Sequence, residues 1–168
     1  MRLNAETYKM RAPELAPYLL GKLLCVKRDG KTVRARICET ECYFGESDTA
    51  CHAHRGRTER TKTLYMEGGA AYVYLCYGIH YLLNVVSGEK DFPEAVLIRG
   101  VEEARGPGRA TKYLGVDKRY NGISLIDSDE IWIEDDGVSV RYRLDKRVGI
   151  DYASEEDRDR LWRFIAER

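Results

Sequence analysis

The chain has 168 residues, 43% of them hydrophobic and 33% charged, which suits one ordinary folded domain with its own core rather than a disordered or membrane chain. Basic and acidic residues balance at 28 each, so the protein is no uniformly basic coat for a polyanion. Five cysteines, an odd count, fit a reducing compartment better than a disulfide framework.

Taken in chain order, Met1 to Leu20 carries scattered charges and no signal pattern, and Ala12 to Leu20 reads as a helix stopped at Gly21. No apolar run reaches the roughly 18–20 residues of a membrane span. Leu23 to Arg28 and Thr32 to Tyr43 read as strands joined at Asp29-Gly30, a hairpin signal. Phe44 to Arg60 loses the alternation and reads as a loop. Ala70 to Tyr77 and Tyr81 to Ser87 are aromatic and β-branched strands about a turn at Gly78, followed by a strand over Glu94 to Glu102. Gly106-Pro107-Gly108 opens a short helix. Ile131 to Glu134 and Val138 to Arg143 read as a hairpin about Asp135-Asp136-Gly137. A helix from Ser154 to Ala166 closes the chain, with Ser154 as N-cap and Leu161, Trp162 and Ile165 on its apolar side. The pattern predicts an α+β fold: a single domain, residues 1–168, with a curved, mostly antiparallel β-sheet and flanking helices.

Charge is unevenly spread. Ala53 to Met66 holds Arg55, Arg57, Arg60 and Lys62 against Glu59, Arg99 to Arg119 is also basic, and Asp127 to Asp136 is purely acidic. A basic face opposite an acidic back suits a polyanion ligand, and solvated loops of mixed sign suit the same pattern.

Two segments are dense in chemistry. On a strand, Ile37, Glu39, Glu41 and Tyr43 share one face, and Cys38, Thr40 and Cys42 the other. Two half-buried carboxylates are costly unless paired or put to use, although an exposed edge strand would carry them freely. In Ala71 to Asn84, Tyr72 and Tyr74 share a face and Tyr77 projects from a turn, where it can enter a groove or stack on a base. For Tyr72 a core strand is the better reading, less so for Tyr77.

Leu19-Leu20-Gly21-Lys22, Glu39-Thr40-Glu41-Cys42-Tyr43, Ala50-Cys51-His52, Tyr72-Val73-Tyr74 with Tyr77-Gly78, Asn84, Val96-Leu97-Ile98-Arg99 and Arg147-Val148-Gly149, in that order, resemble the alkyladenine (3-methyladenine, methylpurine) DNA glycosylase family. The resemblance runs from about Leu15 to Phe164. It implies one mixed domain without helix-hairpin-helix elements, acting on double-stranded DNA that contains damaged purines, with no cofactor and no metal. It implies Glu41 as the carboxylate that activates water, with Arg99 and the backbone carbonyl of Val148 helping to hold that water. Tyr43, His52 and Tyr74 would sandwich the extruded base, Asn84 would collide with the amine of normal guanine, and Tyr77 would fill the vacated space in the duplex. Cys42, Cys51 and His80 depart from the small, small and aromatic residues expected there, which bears on substrate range.

A glycosidic bond inside a duplex is hidden, so the nucleotide must rotate out at a cost of a few kcal/mol. Stacking returns about 1–3 kcal/mol per aromatic contact. The expected reaction is plain hydrolysis to an abasic site, without strand cleavage, because no lysine sits in the matched pocket segments. Gly108, Arg109 and Lys112 offer contacts to a phosphate, or merely an ordinary turn before a helix. A monomer is expected, at work on the nucleoid of a prokaryotic cytoplasm. Two other readings stand beside this one. A zinc site could draw on Cys38, Cys42, Cys51, His52 and His54, although Cys38 and Cys42 would lie about 13 Å apart along a strand. A non-catalytic nucleic-acid-binding module could use the tyrosines alone, although Glu41 in its face would repel phosphate.

Overall fold

The computed structural model describes residues 1–167. Two short helices lead the chain, α1 (Ala5–Tyr8) and α2 (Ala12–Tyr18). They are followed by strands β1 (Leu23–Arg28), β2 (Lys31–Phe44), β3 (Ala71–Cys76), β4 (His80–Val86), β5 (Glu94–Val101) and β6 (Ala104–Arg105). Helix α3 (Pro107–Leu114), strands β7 (Ile131–Glu134) and β8 (Arg141–Asp145), helix α4 (Glu155–Asp159) and strand β9 (Arg163–Glu167) complete it. The sheet runs β3-β4-β5-β2-β1-β7, with β6 on β5, β9 on β2 and β8 on β9, and all these pairings are antiparallel. This is the α+β fold with a curled antiparallel sheet that the strand pattern predicts.

Strand β2 organises the sheet. Its first half pairs with β1 across a two-residue turn in which Asp29 (φ 50°) and Gly30 (φ 76°) are both left-handed, as a tight hairpin requires. Its second half lies between β5 and β9. The changeover is marked by register shifts on either side of Glu39: Ile37 pairs with Val101 and Glu39 with Gly100, leaving Cys38 as the extra residue of a bulge. The bulge corrects the simple alternation. Ile37 turns into the main core with Leu15, Leu19 and Cys42, while Glu39 and Glu41 face the other way.

Helix α2 packs on the core side of β2, where Ala12, Leu15, Ala16 and Leu19 are fully buried. The Thr40 hydroxyl donates to the Ala16 carbonyl (2.8 Å) and ties helix to strand. The buried Glu94 carboxylate at the start of β5 accepts from the Ala12 N–H (2.5 Å), Arg11 Nε (2.7 Å) and the Ser87 hydroxyl (3.0 Å), so it caps α2 from across the sheet.

Two expectations fail in the last third of the chain. Ile131–Glu134 pairs with β1, and the second strand, shifted to Arg141–Asp145, pairs with β9, so the two do not form a hairpin. Asp136 between them is drawn off by Arg36, which donates to both its oxygens (3.0 and 2.9 Å). The closing helix is only one turn: Ser154 caps it as expected, Arg160 turns extended, and the chain continues as β9 with Phe164 and Ile165 buried. Leu161 and Trp162, read as a helical stripe, lie before that strand with Leu161 half exposed.

Candidate active site

On the face of the sheet opposite α2 is a cleft of about 900 Å³. Its floor comes from β2 and β5, one wall from β3, β4 and the loop after β2, and the other from the first turn of α3 and the loop after β8.

At its floor the Glu41 side chain is 0% exposed. Three groups face its oxygens. The Val148 N–H donates to Oε2 (2.8 Å), the Tyr43 hydroxyl donates to Oε1 (2.9 Å), and Arg99 Nε stands 3.7 Å from Oε2. Arg99 lies closer to Glu39, at 3.0 Å, and Arg163 approaches the same Glu39 oxygen at 3.4 Å. Burial pushes the Glu41 carboxyl above its ordinary value, while Arg99, the Val148 N–H and the Tyr43 hydroxyl pull it back. Burial also raises the Tyr43 phenol far above its usual range, so its proton stays available for donation. The result is a desolvated carboxylate held in one orientation by fixed donors.

The loop that presents Val148 is anchored by its neighbour. Arg147 is buried against Asp48 (2.7 and 3.1 Å) and also donates to the carbonyls of Cys42 (2.9 Å) and Asp157 (3.1 Å). Its guanidinium lies 5.0 Å from both the Tyr43 and Trp162 rings. Asp48 in turn accepts from the Phe44 and Ala50 N–H groups, so a single ion pair fixes both loops that flank Glu41.

Above the carboxylate stand the aromatic groups. His52 and Tyr74 meet edge to face with centroids 4.5 Å apart, and Tyr72 lies beside both. His52 Nδ1 and the Tyr72 hydroxyl share a hydrogen bond of 3.1 Å. Part of the imidazole faces solvent, yet crowding by protein, helped by the Arg60 cation, lowers its pKa to about 4. It is therefore neutral above that pH. Asn84 is buried on β4, its amide nitrogen donating to the Tyr72 carbonyl (3.2 Å). At the β3–β4 turn Tyr77 (φ 53°) precedes Gly78 (φ 66°), and both are left-handed. That turn thrusts Tyr77 outward at 90% exposure, with Ile79 beside it at 72%.

Of the residues singled out in the sequence, Glu41, Tyr43, His52, Tyr74, Tyr77, Asn84, Arg99, Gly108, Arg109 and Val148 all line this one cleft. Lys112 does not; it is exposed on the last turn of α3. Val148 meets Glu41 through its N–H, a contact that the carbonyl role implied by the resemblance does not include. Gly108 faces His80 so closely that an added Cβ would lie 2.7 Å from its ring. Sequence reasoning misses Asp48, Arg60, Tyr152 and the contact of Tyr72 with His52. Asp48 and Arg60 look like ordinary loop charges, and only their partners across the fold reveal them.

The proposed zinc cluster does not assemble. Cys42 belongs to the core beneath α2 and Cys51 to the aromatic cluster, while His54 Nδ1 contacts the Glu46 carbonyl (2.7 Å). No group of three or more His, Cys, Asp or Glu is gathered as for a metal ion among the described residues. Likewise no helix among them is long and apolar enough to cross a membrane.

The chain matches the family described as Methylpurine-DNA glycosylase (MPG) over residues 6–104 and 102–168. It is 42% identical to a protein of Borrelia garinii subsp. bavariensis, covering 91% of this chain and 89% of that one. It is 41% identical to one of Clostridium perfringens (strain SM101), covering 98% and 95%, and 39% identical to one of Natranaerobius thermophilus, covering 98% and 94%. All three relatives carry the name "Putative 3-methyladenine DNA glycosylase". With a match along nearly all of its length and a cleft lined by the residues that carry the resemblance, the chain belongs to the methylpurine-DNA glycosylase family.

Proposed function

We propose that this protein hydrolyses the N-glycosidic bond of damaged purines in double-stranded DNA, with Glu41 as the base. The observation that carries this is the fully buried Glu41 carboxylate, oriented by Val148, Tyr43 and Arg99 beneath a cluster of aromatic rings. A carboxylate so placed has little structural reason to be there and a clear chemical one.

The duplex meets the cleft from its minor-groove side, and Tyr77 occupies the space that the damaged nucleotide vacates. Its left-handed backbone holds the ring outward before DNA arrives, which lowers the ordering cost of insertion. The base enters between Tyr43, His52 and Tyr74, where neutral His52 stacks without adding charge. Asn84, fixed by the Tyr72 carbonyl, rejects the amine of normal guanine. Gly108 and Arg109 at the start of α3 take a nearby phosphate, and Lys112 a flanking one.

Positive charge develops on the sugar as the bond to the base weakens. Ionised Glu41 stabilises that charge and accepts a proton from a water whose oxygen bonds to C1′. The electron pair of the broken C–N bond leaves with the base, and an abasic site remains. Arg99, shared between Glu39 and Glu41, favours the ionised carboxylate, and Val148 steadies it. Among the described residues the cleft is lined by no lysine, which supports hydrolysis without a Schiff base or strand cleavage. The range spans 3-methyladenine, 7-methylguanine and hypoxanthine, and one copy suffices, since every group invoked comes from one chain.

The test uses a labelled duplex with one hypoxanthine and another with one 7-methylguanine, and alkaline heating to reveal abasic sites. Glu41→Gln should bind both duplexes yet lose about 10²–10⁴ in rate, the range for a general base. Full activity in that variant would remove the mechanism.

A further inference from the structure

Arg60 sits in the loop between two short 3₁₀ turns, His52–Arg55 and Lys62–Tyr65, and its side chain lines the cleft. Its guanidinium carbon is 5.5 Å from the centre of the Tyr74 ring. Two neighbouring basic residues have partners: Arg57 pairs with Asp91 (2.6 Å) and Lys62 with Glu59 (2.8 Å). Arg99, the cation at the cleft floor, is neutralised by Glu39 and Glu41. Arg60 has no carboxylate within ion-pair distance among the described residues. It is a positive charge without a carboxylate partner on the aromatic wall of the cleft, whose lining also holds Arg105 and Arg109 near the start of α3.

Resting on the base pocket described under Proposed function, we propose that Arg60 sets substrate charge selectivity, favouring neutral damaged purines of the hypoxanthine class over cationic N-alkylated purines of the 7-methylguanine class. Two physical effects act together. A cation near a ring face draws on the same quadrupole that a cationic base would use, so the second cation gains less from Tyr74. The two positive charges also repel, and because Arg60 is solvent-exposed that repulsion is screened in part. A neutral purine keeps its stacking and feels neither effect. Within the cleft His52 is neutral at physiological pH, and the negative charge of Glu41 is offset by Arg99.

Single-turnover excision is measured on two duplexes that differ only in the lesion, for the wild type, Arg60→Gln and Arg60→Lys. The intrinsic lability of each lesion cancels when each variant's hypoxanthine-to-7-methylguanine rate ratio is divided by that of the wild type. Arg60→Gln should lower the ratio about tenfold, the scale of two unit charges some 7 Å apart at an effective dielectric between protein and water. Arg60→Lys, which keeps the charge, should stay within about twofold of the wild-type ratio. Equal loss on both duplexes would overturn the proposal by making Arg60 a phosphate contact or a folding element, and so would an unchanged ratio. The ratio of binding affinities for the same duplexes in a Glu41→Gln background should move in the same direction, and its failure to do so counts against selectivity in the pocket. Full activity of Glu41→Gln alone strikes instead at the base assignment, which separates the two failures.

Discussion

At the residue scale, the chemistry turns on the ionisation of one carboxylate. Burial raises the Glu41 pKa above its ordinary value, and a base must be ionised to act. Activity is therefore lost as pH falls through that raised pKa, and the acid limb of the single-turnover pH–rate profile should lie above the usual carboxylate range. The His52 transition at about 4 falls below that limb. Tyr43→Phe keeps the ring but removes a hydrogen bond donated to the charged form. The Glu41 pKa should then rise further, and the limb should move to higher pH. A limb that stays in place, or moves down, would detach Tyr43 from the ionisation of Glu41. The likeness of Glu39-Thr40-Glu41-Cys42-Tyr43 to its family was legible from residues alone. The reason that only Glu41 is desolvated was not, because it depends on the Cys38 bulge and on a loop more than a hundred residues downstream. Neither Gly nor Pro marks that bulge.

At the scale of elements, the Arg147–Asp48 pair locks the loop after β8 to the loop after β2. Breaking a buried pair by removing one charge typically costs about 3–5 kcal/mol, because the other charge stays buried and unpaired. Asp48→Asn should destabilise the protein on that scale in urea unfolding, and Asp48→Asn with Arg147→Met should recover part of the loss. A single variant as stable as the wild type would show that water reaches Arg147. Elements with local signals were legible. The β1–β2 hairpin was announced by Asp29-Gly30 and the β3–β4 turn by Tyr77-Gly78, since left-handed residues must sit where the chain reverses. Strand β9 was not. Over five residues a helical stripe and a half-buried strand share the same apolar content, and its pairing with β2 closes a loop of more than a hundred residues. The supposed hairpin around Asp135-Asp136-Gly137 failed for the same reason: β7 and β8 each found a better edge elsewhere in the sheet.

At the scale of the whole molecule, the curled sheet divides the protein into a core side beneath α2 and a cleft side open to DNA, and the cysteines are distributed accordingly. Cys25, Cys38, Cys42 and Cys51 are buried, and only Cys76 is partly accessible. Burial pushes the Cys25 and Cys51 thiols up to about 12 and also raises Cys38 and Cys42. The thiolate is the reactive form, so these four are inert in the folded state. A colorimetric thiol reagent should modify one cysteine of the native protein rapidly and all five after denaturation. Two or more fast-reacting thiols before unfolding would contradict the packing. Four of the five soft nucleophiles of this chain are thus shielded from methylating electrophiles, and Cys76, which lines the cleft, is the one left partly open.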